Sequence, residues 1–406
     1  MYCYSIHNVL TVRSEVLLYE LEYFRCQDIP HDADLTIKVV GSLGSKFNFR
    51  RKIIIEDELR HPNRLKYTEH LGPFGAQFEI NFIANKIEIL VNRIVSASNY
   101  VLYVNLVEPL LRFLFIPKGY LLLHSACMSS STVDQGLLIS APPDTGKTTT
   151  VLKCVKNGFS FLSDDMTILR LPNEALCFPK PMTISSHTFR TASTISESEN
   201  NGNCTKRSGL KLRSMIHSKK GRQLMRKLGN LNVPIFTINA VGQKFIKPPK
   251  FNIDYLLQDA LLKVRTKIYN FVFLEAGLEG EQSINVASDI ATIRAIENTD
   301  DAFMFPPYKE ILKYLTIDGK SANDLLEMEK HRLEEFLSYI TCTIIKSESR
   351  LWYKRLLESS YTSNDRKGIQ YTSSAQVDDD RRKFIFMIHS LSSIAVLLFS
   401  LSSSAL

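Results

Sequence analysis

Residues 1–105 alternate between apolar and polar positions. In TVRSEVLLYEL, ADLTIKVVG, AQFEINFIA and KIEILVNRIV, short β-branched and apolar runs are broken by Gly, Pro, Asn and Asp. A period of two with such punctuation predicts strands, and the region reads as β-rich. VEPLLRFLFIPKG then predicts a short helix that Pro117 and Gly119 end. From there the pattern alternates between strand and helix. YLLLHSACM and GLLIS read as strands. Lys147 to Asn157 reads as a helix through Val151, Leu152 and Val155, stopped by Gly158, and FSFLSDD and MTILRL read as strands again. This order predicts an α/β fold with a nucleotide-binding core.

The pattern changes at residues 184–229. SSHTFRTASTISESENNGNCT is polar, and the stretch Lys206–Lys227 carries nine Lys or Arg and no acid, so a mobile basic insertion is expected. Arg207, Arg213 and Arg222 there could meet a phosphorylated or acidic substrate in bidentate fashion, or the run could be a solvated loop. Strands are expected again in VPIFTINAV and KIYNFVFLEAG, and DLLEMEKHRLEEFLSYI predicts an amphipathic helix. The expected division is therefore 1–105 as the β-rich region, 106–320 as the core domain, 321–370 as a helical region and 371–406 as a tail. Phe384–Leu401 in that tail is 18 mostly apolar residues behind a basic triplet, a candidate membrane association at the short end of spanning length, or a packed helix.

Composition adds limits. Of 406 residues, 44% are hydrophobic and 23% charged, which is ordinary for a chain that builds a core. The net charge of +8 favours anionic partners without choosing among them. Seven cysteines without a CxxC pair point to free thiols and a cytoplasmic, reducing location, and MYCYSIHNVLTVRSE has no leader pattern.

The chemistry concentrates in "LISAPPDTGKTTTVLKCVKNGFSFLSDD". Ala141, Pro142, Pro143, Asp144, Thr145, Gly146, Lys147 and Thr148 fit [A/G]-x-x-x-x-G-K-[S/T], and Thr149 follows them into the helix. Such a loop wraps phosphates with backbone N–H groups. Gly146 permits the close approach, Lys147 charges the β- and γ-phosphates, and Thr148 offers a hydroxyl to Mg²⁺ at the positive end of a helix. Asp164 and Asp165 close the strand 17 residues after Lys147, where carboxylates can hold metal and act as general base. An Asp pair can also simply cap a turn, a reading the nearby phosphate loop makes the weaker one. The expected roles are Asp164 as base and Asp165 with Thr148 as metal ligands, an assignment the sequence leaves interchangeable. Glu275, closing NFVFLEAG, is a weaker candidate ligand, and Trp352 reads as a core residue.

Leu-His and a small residue at His124, the 141–148 loop, Gly158-Phe159 and Ser163-Asp164-Asp165, in that order, resemble the catalytic domain of HPr kinase/phosphorylase and the related HPr-kinase-like serine kinases. The resemblance is clearest over 107–170. FPKPMTI, KPPK and FPPYKEIL fit looser relatives across 171–315. It implies a P-loop, phosphoenolpyruvate-carboxykinase-like mixed sheet, ATP as phosphoryl donor, Mg²⁺, Lys147 on the phosphates, an aspartate base, His124 beside the phosphates, and a homo-oligomer. The downstream Glu and Arg-Gly signature of the HPr kinases is not found in this chain, so a relative is implied rather than the bacterial regulator. The expectation is an ATP-dependent phosphotransferase acting on a hydroxyl of a protein, peptide or small molecule. The alternatives are a non-catalytic nucleotide sensor or scaffold and, through the basic run, a nucleic-acid-linked ATPase.

Overall fold

The computed structural model describes residues 1–29, 32–44, 53–56, 63–71, 74–130, 135–142, 145–183, 233–245, 250–277, 281–303, 306–348 and 351–361. Pro143, Asp144, the basic run with Arg207, Arg213 and Arg222, and the apolar tail lie outside them. The fold is mixed α/β, built on two large mixed sheets.

The first sheet uses β1 (Tyr2–Ile6), β2 (Leu10–Ser14), β3 (Arg25–Cys26), β4 (Leu35–Val40), β5 (Ile53–Glu56), β6 (Arg64–Glu69), β7 (Gln77–Ile83) and β8 (Lys86–Asn92). Their order is β3-β1-β2-β4-β8-β7-β6-β5. The alternation read in the sequence is the burial pattern here: Ile87, Ile89 and Val91 are buried on one face of β8, against Phe78 and Ile80 of β7. That core continues into the helix Glu108–Phe115 and on to Phe303, Tyr308 and Leu325. Residues 1–361 accordingly pack as one unit.

The second sheet is formed by β9 (Tyr120–Leu123), β10 (Ala126–Ser130), β11 (Gly136–Ser140), β12 (Phe159–Ser163), β13 (Thr167–Arg170), β14 (Glu174–Leu176), then β17 (Arg265–Ala276), β18 (Glu281–Asn285) and β21 (Thr341–Ser347). Two short ladders accompany it, β15 (Met182–Thr183) with β16 (Lys250–Phe251) and β19 (Thr316–Ile317) with β20 (Lys320–Ser321). The central strand β17 pairs in parallel with β11 and β21 and antiparallel with β14. Both faces are covered. Val272 and Leu274 of β17 face a cluster with Val151, Leu152 and Trp352, while Phe271 and Phe273 face Ala291, Ala295, Leu333 and Phe336. Thus the helices Lys147–Lys156 and Trp352–Tyr361 lie on one side, and Ser288–Phe303 and Ala322–Ser338 on the other.

VPIFTINAV departs from its expected strand: Ile235–Phe245 is a helix. Its β-branched content favours a strand, but tertiary contacts decide. The carboxylate of Glu69 accepts from the N–H of Phe236 at 3.2 Å and of Thr237 at 2.6 Å, capping the helix start. Phe236 and Ala240, four apart, enter the core on one face. YLLLHSACM, expected as one strand, is two, β9 and β10, broken at His124 and Ser125. TVRSEVLLYEL carries a strand only in its first part and continues into a 3₁₀ turn from Tyr19 to Phe24.

Candidate phosphate and acid site

Strand directions bring the predicted residues to one edge. β10 is antiparallel to both β11 and β12, so those two run the same way with β10 between them. The loop leaving β11 and the acids leaving β12 therefore emerge at the edge where β10 begins, just after His124 and Ser125. The loop strand and the acid strand are not neighbours; one strand of opposite direction separates them.

Ala141 is buried, and the carbonyl of Pro142 accepts from Thr145, at 3.3 Å from its N–H and 2.7 Å from its hydroxyl, closing a tight turn. Gly146 sits at φ +104°, a left-handed conformation that side chains resist, at the N-cap of the helix Lys147–Lys156. Thr150 returns both its N–H and its hydroxyl to the Gly146 carbonyl, at 2.9 and 3.0 Å. Trp352, the sole tryptophan and fully buried, packs against Gly146 and donates its indole N–H to the Thr145 carbonyl at 3.2 Å. It is a core residue, as its sequence context predicts, and it also braces the loop.

Thr148 donates its hydroxyl to Asp164 Oδ2 at 2.9 Å. The sequence pairs Thr148 with Asp165 as metal ligands but leaves the two aspartates interchangeable; here the Thr148 hydroxyl meets Asp164. Asp164 is buried, and its second oxygen, Oδ1, finds no hydrogen-bond partner. Burial pushes this carboxyl up to about 6, opposed by Lys147. A buried carboxylate oxygen without a donor is costly, and a proton, a water or a cation can relieve it.

Asp165 turns the other way, as successive residues at a strand end do. It is half exposed. Oδ1 lies 3.1 Å from His124 Nε2, and Oδ2 accepts from Lys180 Nζ at 2.6 Å. Burial works to raise its pKa, yet Lys180, His124 and Lys147 together hold it well below the usual carboxylate range. His124 Nδ1 donates to the Asn298 carbonyl at 3.0 Å, and Nε2 lies 3.1 Å from Lys147 Nζ. Burial and then Lys147 lower the imidazole's pKa, against the pull of Asp165. Burial also lowers Lys147, against the pull of Asp165 and Asp164. The four residues named as catalytic in the sequence, His124, Lys147, Asp164 and Asp165, thus converge, and Thr148 joins them. Further links brace the edge: Asn298 Nδ2 donates to Ser140 Oγ at 3.0 Å, and Thr167 Oγ1 donates to the Ser125 carbonyl at 2.9 Å.

Lys180, Glu108 and Asn298 were not among the predicted site residues. Lys180 lies in FPKPMTI, where its burial leaves no local trace. Glu108 looks like an ordinary first-turn acid, and Asn298, which acts through both its carbonyl and its side chain, lies in a helix with no local mark of the site. Glu275 ends β17 as expected, but its carboxylate is taken by Arg294 and, at 3.8 Å, by Lys346. Among the described residues no group of three or more His, Cys, Asp or Glu is placed to hold a metal. Six cysteines there are free thiols, and no described helix is long and apolar enough to cross a membrane. No family model matches the chain, and no curated protein matches it.

Proposed function

We propose that the protein binds Mg-ATP at the 141–148 loop and transfers the γ-phosphoryl to a hydroxyl, as an HPr-kinase-like phosphotransferase with a phosphoenolpyruvate-carboxykinase-like core. The observation that carries this is the pair Thr148–Asp164, hydrogen-bonded at 2.9 Å, with Asp164 Oδ1 buried and unpartnered beside Lys147. A hydroxyl and one carboxylate suit Mg²⁺, which takes few protein ligands and completes its shell with water and phosphate oxygens. Mg²⁺ held there would neutralise charge on the β- and γ-phosphate oxygens.

The chain's own groups then have distinct tasks. Backbone N–H groups at the helix start and the Lys147 ammonium bind the phosphates. Thr148 and Asp164 hold the metal side. Asp165, half exposed and turned away from Thr148, is kept ionised by Lys180 and in that form takes the acceptor's proton as the phosphoryl transfers. This reverses the two aspartate roles expected from sequence, and the partner of the Thr148 hydroxyl is the reason. His124, held through Nδ1 on the Asn298 carbonyl, sets Nε2 between Lys147 and Asp165 and keeps the two in place.

The test is incubation with γ-labelled ATP and Mg²⁺, alone and with cell lysate. Wild type is expected to transfer label to water or to an acceptor, and Lys147→Ala and Asp164→Asn are expected to lose it. Tight ATP binding by wild type with no label leaving the nucleotide would replace this reading with a nucleotide sensor.

A further inference from the structure

Lys180 joins two carboxylates that the loop chemistry does not require it to join. Its ammonium donates to Asp165 Oδ2 at 2.6 Å and to Glu108 Oε1 at 2.5 Å. The side chains of Lys180 and Glu108 are only 8% and 4% exposed, whereas that of Asp165 is 49% exposed. Glu108 opens the helix Glu108–Phe115 directly after a π-helical turn, Tyr103–Val107. Such turns shift the helical register and recur at functional sites. Tyr103 from that turn sets its ring 5.8 Å from the Lys180 ammonium. Lys180 is thus held by groups of the segment that packs on the first sheet, and its ammonium also reaches the half-exposed Asp165 at the phosphate edge.

Burial of this ion pair is a poor source of stability, because desolvation offsets most of the attraction. Its geometry serves better as a brace. With Oδ2 tied to an anchored ammonium, the Asp165 carboxylate cannot rotate freely, and Oδ1 keeps one direction, toward His124 Nε2 and the Lys147 side. Resting on the kinase reading above, we propose that Lys180 is a positioning residue for phosphoryl transfer: anchored on Glu108, it fixes Asp165 so that Oδ1 meets the acceptor hydroxyl. In that step the acceptor O–H proton passes to Asp165 Oδ1 and the acceptor oxygen bonds to the γ-phosphorus. The bond from γ-phosphorus to the bridging oxygen breaks, and its electron pair leaves with ADP.

The experiment compares full-length wild type, Lys180→Ala, Lys180→Arg and the double variant Lys180→Met/Glu108→Gln. Turnover of Mg-ATP with water as acceptor gives kcat, and Trp352 fluorescence gives ATP affinity. A displaced general base should lower kcat by about 10²-fold in Lys180→Ala, while ATP affinity stays within about threefold. Lys180→Arg should recover part of the rate by keeping both ion pairs. The double variant buries no lone charge, so it should melt like wild type and remain slow; it decides the matter if Lys180→Ala does not fold. Wild-type kcat in a folded variant lacking Lys180 overturns this inference and leaves the kinase reading standing. Parallel loss of ATP affinity and kcat in the folded double variant also overturns it, making Lys180 part of the nucleotide site. Wild type that binds ATP without turning it over removes both.

Discussion

Two buried ionic clusters among the described residues, one around Arg112 and one around Lys147, are finished differently. Around Arg112 every nitrogen has a partner. The guanidinium, fully buried, forms a bidentate pair with Glu329 at 2.8 and 2.6 Å, then reaches Asp300 at 2.7 Å and the Tyr308 hydroxyl at 3.1 Å. Around Lys147 the accounts stay open. Asp164 Oδ1 has no donor, Asp165 is half exposed, and Nε2 of His124 faces an ammonium and a carboxylate at equal distance. A closed cluster specifies a fold; an open one keeps capacity for a further charge, as the proposed Mg-ATP site requires. The difference separates the two clusters more sharply than burial or charge alone, since both have plenty of each.

The comparison can be broken from either side. The largest effect should come from the closed cluster. Arg112→Met strands Glu329 and should cost about 3–5 kcal/mol in denaturant unfolding, with ATP affinity of the folded fraction unchanged. Adding Glu329→Gln should recover much of that loss. Next, Lys147→Ala should lower turnover by about 10²–10³-fold with no fall in melting temperature, because this lysine sits in an unfinished site. If it melted as badly as Arg112→Met, the clusters would not differ in kind. Trp352→Phe tests the brace between core and loop. Losing one hydrogen bond should cost about 1 kcal/mol of stability and weaken ATP binding measurably by calorimetry.

The smallest effect concerns His7, whose Nε2 donates to the Cys177 carbonyl at 2.7 Å and whose pKa burial lowers from 6.5. An unfolded chain takes up this proton as pH falls through about 6.5, while the folded chain resists it. Stability should therefore decline below that pH and be indifferent above it. His7→Asn should flatten that part of the melting-temperature profile.

Much of the site was legible because its signals are local. Gly146, Lys147 and Thr148 declare themselves within one loop, the aspartates end an apolar strand, and His124 interrupts one. The strands of the first sheet followed from alternation, and the helix Ala322–Ser338 from its amphipathic face. What stayed hidden is set by distant chain. Glu108 and Lys180 are 72 positions apart, and neither segment hints at the other. Helix Ile235–Phe245 depends on the Glu69 carboxylate, 167 and 168 positions away, to satisfy its first N–H groups. The partner of Thr148 turned on how the chain bends after Ser163, which residue types alone do not fix.

The direction of β10 has a consequence for how such a site can be inherited. Because this strand runs against both flanking strands, the chain enters the edge between loop and acids instead of leaving it. Whatever residue precedes the strand is delivered into that gap by topology. A rearranged descendant with β10 reversed would keep its loop and its acid pair, yet have an empty berth where His124 now stands, and no point substitution could fill it.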